Sequence, residues 1–438
     1  MKTRYEALRE SATKIFIVVF LLFSFVSQSL ATFTLDPEFF GGGKLTISFP
    51  DSTTNYSSAG LRIFVQSTGR IVAAGTFTRM TADGQLPGVV VVGLTTSGSV
   101  DATYGTFEDW QSNGFTSLND ALMYADGRLL MLTRFFNVAG SSTVRAGRLS
   151  VDGLSDGVFG SNVSIGTSPG NFGTSRGSQI AVRSDGKVLV LIIDNGQYLL
   201  YRLNPDGTRD ATFGVNGVIG LNFNKISTPS EAGLEMVALA DGKVLITGHV
   251  PPFTFGSGSS DFFLARLTES GNWDKTFGRT GFLQVPFGAG ITGRIQRATV
   301  QPDGKILLCG GIFDSDTDTW MMRFRANGRV DTSFGNGGVV RTDFLPGGID
   351  AASSIALSPD GKIRIAGSLG SLANFLVARY SANGILEEST SFGFTPNQFA
   401  SASDIALQPD GKIVVIGGTR NPNAAINGGV FAIARLIE

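Results

Sequence analysis

Six residues ahead of the aspartate in each of seven turns (Thr68 takes its place in the first) stands a polar side chain. The set is Arg62, Asp120, Gln179, Glu235, Arg297, Ser354 and Asp404. The next residue is apolar every time: Ile63, Ala121, Ile180, Met236, Ala298, Ile355 and Ile405. Three carboxylates and two guanidiniums could work as acid and base. They could equally hold a ligand, and the mixed charge suits a polar or zwitterionic molecule better than a phosphate. A plainer reading also stands, and it is the commoner one: strand entries must be solvated, whatever the protein does. An enzyme using Asp120, Glu235 and Asp404 would bring two or three acids within about 10 Å of one another around a concave pocket. A binding module would present a flatter face bearing exposed aromatics such as Trp110, Phe135 and Phe253.

The other chemistry-bearing groups are weaker. His249 is the sole histidine, so no multi-histidine metal site forms within one chain. It follows Gly248 and reads as an ordinary histidine opening a variable loop. Gly173-Thr-Ser-Arg-Gly177 matches G-x-S-x-G and Gly288-Ala-Gly-Ile-Thr-Gly293 matches G-x-G-x-x-G. Neither stands where a strand passes into a helix, as their chemistry requires. Asp314-Ser-Asp-Thr-Asp318 begins like a calcium loop, yet Thr319 and Arg325 stand where a glycine and a glutamate are needed. It reads as a solvated acidic loop. Cys309 reads as a small core residue, and a single cysteine excludes an intramolecular disulfide framework. No metal and no cofactor is expected.

What must position these groups is a repeat. The turn glycines Gly69, Gly127, Gly186, Gly242, Gly304, Gly361 and Gly411 are spaced by about 57 residues. Each copy holds a strand, a tight turn and a second strand, as in Ile405-Ala-Leu-Gln-Pro-Asp-Gly-Lys-Ile-Val-Val-Ile-Gly417. Pro-Asp-Gly sets φ near −65° at one position and allows φ > 0 at the glycine, which joins antiparallel neighbours tightly. A second hairpin follows and ends in Phe-Gly, at Phe159, Phe213, Phe277, Phe334 and Phe392, with Tyr104 in the first copy. This aromatic reads as a wedge between neighbouring units. The aliphatic, β-branched strands suit burial on both faces.

Four strands per copy and seven copies predict an all-β chain, a seven-bladed β-propeller of four-stranded antiparallel blades. The last copy stops at Phe431-Ala-Ile-Ala-Arg-Leu436, and its missing half stands near the other terminus, as Leu35-Asp-Pro-Glu-Phe39 and Lys44-Leu45. The two ends are therefore expected to complete one blade together and leave no open edge. The strand before Asp-Gly should be innermost and the strand ending in Phe-Gly outermost. Both short turns then share one face, and the variable connections, the usual carriers of function, share the other. The set from Arg62 to Asp404 would ring the axial mouth.

Two further sets look structural because they recur from copy to copy. Arg148, Arg202, Arg266, Arg323, Arg379 and Arg435 lie on third strands, with Asp156, Asp210, Asp274 and Asp331 just past the turn, which suggests an Arg–Asp pair across each hairpin. Arg70, Arg128, Lys187, Lys243, Lys305, Lys362 and Lys412 follow the turn glycines and read as solvated turn residues, most of them two positions from an aspartate.

Leu35-Asp-Pro-Glu-Phe39, Leu407-Gln-Pro-Asp-Gly-Lys412 and Ala434-Arg-Leu436 resemble the bacterial delta-60 repeat, a propeller repeat of secreted and surface proteins, across residues 33–438. The resemblance implies a propeller and export from a bacterium, and brings no reaction or catalytic residue. Copy one departs from it, with Ser67-Thr68-Gly69 at the turn and Gly93 in place of the arginine, and copy six carries two extra residues before Phe392.

Residues 1–31 read as a secretory signal. Lys2, Arg4, Arg9 and Lys14 precede the apolar run Ile15–Val26, and Ser29 and Ala31 occupy the −3 and −1 positions. That run is too short to cross a bilayer as a helix. The expected organisation is signal 1–31 and one propeller domain, 32–438. Export to the periplasm or the cell exterior follows, with no transmembrane segment after cleavage. Glycine is 58 of 438 residues and charged residues are 16%, as an exported β protein would have. The net charge of −1 gives no pull toward nucleic acid. A monomeric, non-catalytic binding or surface-interaction module is expected, its partner a glycan, a peptide or another surface protein. The alternative is a hydrolase or lyase acting on a polar substrate at the axial mouth.

Overall fold

The computed structural model describes residues 32–438 apart from 48–56, 82–83, 110–113, 138–139, 160–162, 169–174, 195, 224–233, 251–259, 289–290, 315, 371–373, 395–397 and 421–428. The proposed signal, Trp110 and Phe253 therefore lie outside the described residues. Seven antiparallel sheets form, one per repeat, and the protein is a seven-bladed β-propeller. Blade four is representative: Glu235–Ala238, Val244–Val250, Asp261–Leu267 and Phe282–Pro286 pair in chain order. The first strands of successive blades lie against one another and are innermost. No helix among the described residues is long and apolar enough to cross a membrane.

The hydrophobic core is divided among the blade interfaces. Each of seven buried clusters draws on two adjacent blades, as where Leu191 and Leu200 of blade three meet Met236, Ile246 and Phe263 of blade four. Second and third strands are covered on both faces, so Val188–Ile193 is buried without alternation. That is why these strands read as continuous apolar runs.

Blade seven is closed by the other end of the chain. Its inner three strands are Ala400–Leu407, Ile413–Arg420 and Gly429–Ile437. Thr34–Leu35 pairs with Leu436 and Ile437, and Lys44–Ile47 pairs with Phe431–Ala434.

The recurring aromatic is the expected wedge. Phe213 of blade three packs on Gly271 of blade four, and Phe334 of blade five on Gly384 of blade six. Both glycines have φ above +80°, and a Cβ at either would meet the ring at 3.0 Å or less. Two expectations need correction. Phe-Gly lies in the turn before the outermost strand rather than ending it: Phe213 precedes Val218–Leu221. Phe392 is not a wedge. The two extra residues ahead of it carry it to the end of the outer strand Leu386–Phe392, where it packs on Phe375 and Phe394. In its stead Phe33, from the N-terminal segment, lies against Arg379.

Candidate functional site at the axial mouth

Every residue of the polar register occupies one equivalent place. Arg62, Asp120, Gln179, Glu235, Arg297, Ser354 and Asp404 pair respectively with Ala74, Leu132, Leu191, Thr247, Cys309, Ala366 and Ile416 of the second strands. In five blades the residue just ahead is an unpaired bulge: Leu61, Asn119, Gln296, Ser353 and Ser403. A bulge bends the strand and re-aims its side chains. Blade three has its bulge one residue earlier, at Gly177.

Six of the seven side chains form a pairing network in two separate parts. The Arg62 guanidinium donates to Asp120 Oδ1 at 3.1 Å and 3.2 Å. Arg297 of blade five reaches Asp404 of blade seven at 3.3 Å and Glu235 of blade four at 3.5 Å. Ser354 Oγ donates to Asp404 Oδ1 at 2.6 Å. Contacts that skip a blade require the side chains to converge on the axis. Gln179 holds the same register, half-buried, without joining the network among the described residues.

The three acids also brace the ring. Asp404 Oδ2 accepts from the Ile63 amide and Asp120 Oδ2 from the Ile180 amide, both at 3.1 Å. Glu235 takes a bond from the backbone of Ala298. Each acceptor therefore holds the amide following the ring residue of the next blade, and Asp404 does so across the chain closure. Burial raises the proton affinity of Glu235, against the pull of Arg297 and Arg62. Burial also works against the charge of Arg297, but Glu235, Asp404 and Asp120 outweigh it and hold the guanidinium protonated. Glu235 and Asp404 come within reach of each other, as acid–base chemistry would need. The space between them, however, is filled by the Arg297 guanidinium.

Above the ring opens a cavity of about 320 Å³. Arg62 and Glu235 contribute to its lining, together with Arg294, Gln296, Ser353, Ser401 and Ser403. The register pointed to the ring but missed this upper layer. Its signal was one position away, since Gln296, Ser353 and Ser403 are bulge residues, polar where a regular strand would turn its side chain aside.

The remaining candidates are structural. Arg202 Nε donates to Asp210 at 2.6 Å, Arg266 Nε to Asp274 at 2.8 Å and Arg323 Nε to Asp331 at 2.8 Å. Arg148 pairs likewise with Asp156, Arg379 with Glu387 and Arg435 with Asp36. Each of these arginines lies over a wedge aromatic, as Arg202 does over Phe213 at 4.3 Å. Most also donate to a turn carbonyl of the next blade, such as Glu269 O for Arg202 at 3.0 Å. In blade one, where Gly93 replaces the arginine, Arg70 takes over: it pairs with Asp101 at 2.7 Å, lies over Tyr104 and reaches Val151 O of blade two. Lys187, Lys362 and Lys412 share the same acids, and Lys305 pairs with Asp303.

Asp314 and Asp318 are clamped by Arg341, and Asp316, Asp318 and Asp343 offer oxygens within 4.8 Å of one another. Cys309 is buried opposite Arg297, and burial pushes its thiol up to about 12. Two side chains expected at the surface are inside. Phe135 is 7% exposed, with Arg145 stacked on its ring at 4.4 Å. His249 belongs to the second strand of blade four rather than a loop, is 0% exposed, and accepts the Ile295 amide at Nε2.

Residues 66–104, 183–213, 239–277, 301–334 and 408–436 match the family model described as "Domain of unknown function (DUF5122) beta-propeller". These are β-propeller repeats. Among the curated proteins, none matches the chain. Solved structures are similar to the chain only at low identity. A protein from Lactobacillus plantarum is 13% identical, with a TM-score of 0.44, covering 87% of this chain and 100% of its own. A putative oxidoreductase (glucose dehydrogenase) from Thermus thermophilus is 14% identical, TM-score 0.37, covering 88% and 99%. Prolyl oligopeptidase B from Galerina marginata, bound to a 35mer substrate, is 10% identical, TM-score 0.43. There 83% of this chain is covered, and the chain spans 46% of the oligopeptidase's length.

Proposed function

We propose that this propeller is a non-catalytic binding module that takes a small polar ligand at its axial mouth. The observation that carries the reading is the cavity of about 320 Å³ walled by Arg294, Gln296 and three serines above a self-paired ionic ring. The ring is a brace that fixes the blades, and the layer above it has hydrogen-bonding groups left to offer. Export of the mature chain from a bacterium, directed by residues 1–31, and kinship with the delta-60 repeat belong to the same proposal.

A thermal-shift screen against divalent metals, sugars, glycan fragments and peptides tests it. A ligand at 100 times its Kd should stabilise by about 2.7 kcal/mol. The shift should vanish in Arg62→Ala/Arg297→Ala. It should also weaken in Ser353→Ala/Ser403→Ala, which leaves every ion pair of the ring in place. A shift unchanged in both variants would move the site elsewhere.

A second reading, a hydrolase or lyase, has one observation in its favour: Glu235 lines the cavity with its proton affinity raised. Turnover of any ligand found, lost in Glu235→Gln with binding retained, would establish it.

A further inference from the structure

Three arginines surround the axial cavity and its floor, and two of them are matched. Arg62 is held by Asp120, and Arg297 by Glu235 and Asp404. Arg294 is the exception. It lines the cavity from the innermost strand of blade five, Thr292–Val300. Its Nε is shut off from solvent without an acceptor, and no described carboxylate stands within ion-pair distance.

The histidine behind it offers no countercharge. His249 already accepts the Ile295 amide, and burial together with Arg294 keeps the imidazole neutral. Beside Arg294 the cavity is lined by the neutral hydrogen-bonding groups of Gln296, Ser353, Ser401 and Ser403, by apolar Leu234, Ile295 and Ala402, and by Arg62 and Glu235 of the ring. A guanidinium carries five donors in a planar fork that matches a carboxylate in two parallel bonds. Arg294 is half-buried, and the cost of its charge falls on the Nε that neither water nor an acceptor meets.

The charge of that partner is limited from below. Glu235 and Asp404 share the single Arg297, so the floor of the cavity carries a local negative surplus. A phosphate dianion would meet one free cation and that surplus. A single carboxylate would bring one negative charge to that cation rather than two, and so meets half the repulsion from the floor.

We infer that Arg294 receives the carboxylate of a small hydroxylated ligand, a sugar acid by its chemistry, with the serines and Gln296 meeting its hydroxyls. This rests on the axial-binding reading and narrows it to one ligand class.

The test uses four probes on the purified protein: acetate against chloride at equal ionic strength, D-galacturonate against D-galactose, and inorganic phosphate, each read by thermal shift and titration calorimetry. Acetate and galacturonate should raise Tm with concentration, galactose and phosphate should do so far less, and Arg294→Gln should weaken galacturonate binding at least tenfold. Without ligand, Arg294→Gln should be at least as stable as the wild type, because it removes an unmatched cation.

Galactose and galacturonate binding equally, and surviving in Arg294→Gln, would overturn the carboxylate assignment while leaving the axial site standing. Tighter phosphate binding, or no response to acetate and galacturonate together with a destabilised Arg294→Gln, would also overturn it. The wider reading fails separately, on the ring and serine variants of the broad screen.

Discussion

His249 shows how one buried side chain sets a pH dependence. Its Nε2 must stay unprotonated to accept the Ile295 amide, and burial, then Arg294, lowers its pKa to about 4 from the ordinary 6.5. The unfolded chain binds a proton that the folded chain refuses, so the contribution is whole above pH 6.5 and is lost as pH falls toward 4. Between pH 7 and pH 5 the loss is about 2 kcal/mol. The aspartates paired with third-strand arginines, Asp210 and Asp274, sit below the usual carboxylate range and lose their contribution only under more acid conditions. Glu235, with its affinity raised, works in the opposite sense. Urea unfolding at the two pH values should therefore show a drop that shrinks in His249→Gln, where an amide oxygen can still accept from Ile295. An equal drop in both proteins would discount this account.

At the scale of the elements, the latch is a unit of arginine, acid, wedge aromatic and neighbouring turn. Arg266 and Asp274 are both buried, and removing the arginine leaves the carboxylate between blades four and five with Lys243, at 3.5 Å, as its remaining cation. Arg266→Ala should cost about 3–5 kcal/mol by chemical denaturation. In blade one the equivalent cost belongs to Arg70. Arg70→Met should lose about 1–3 kcal/mol, and adding Gly93→Arg should not restore it, because a Cβ at 93 would meet Tyr104 at 2.5 Å. Rescue by Gly93→Arg would refute the substitution of one arginine for the other. The latch and the ring register could be read from the chain because each recurs at a fixed offset, so copies corroborate one another. What escaped has no second copy. His249 stands alone, and Phe33 stands in for a displaced Phe392 from the far end of the chain. Bulges escaped for another reason: the unpaired residue depends on how two strands pair, which a single strand's alternation does not disclose.

Across the whole molecule, ring and latch are continuous through the closure between blades seven and one. Asp404 holds the Ile63 amide there, and Arg435 pairs with Asp36 while donating to Thr96 O. The residues that complete blade seven lie nearly four hundred positions from the strand they join, yet their arginine–acid pair and wedge aromatic copy those made elsewhere. Such an arrangement does not specify which molecule supplies the closing segment. When Thr34–Ile47 detaches, Gly429–Ile437 becomes an open strand edge with Phe431 and Ile433 uncovered, and the same segment of a second chain fits it equally well. Refolding from concentrated solution should therefore yield dimers that have exchanged their N-terminal segments, separable by size-exclusion chromatography, while dilute refolding returns monomers. A disulfide between Thr46→Cys and Ala432→Cys, which face each other across the pair, should suppress the exchange if formed before unfolding. Dimers persisting in that variant would place the exchange in another element.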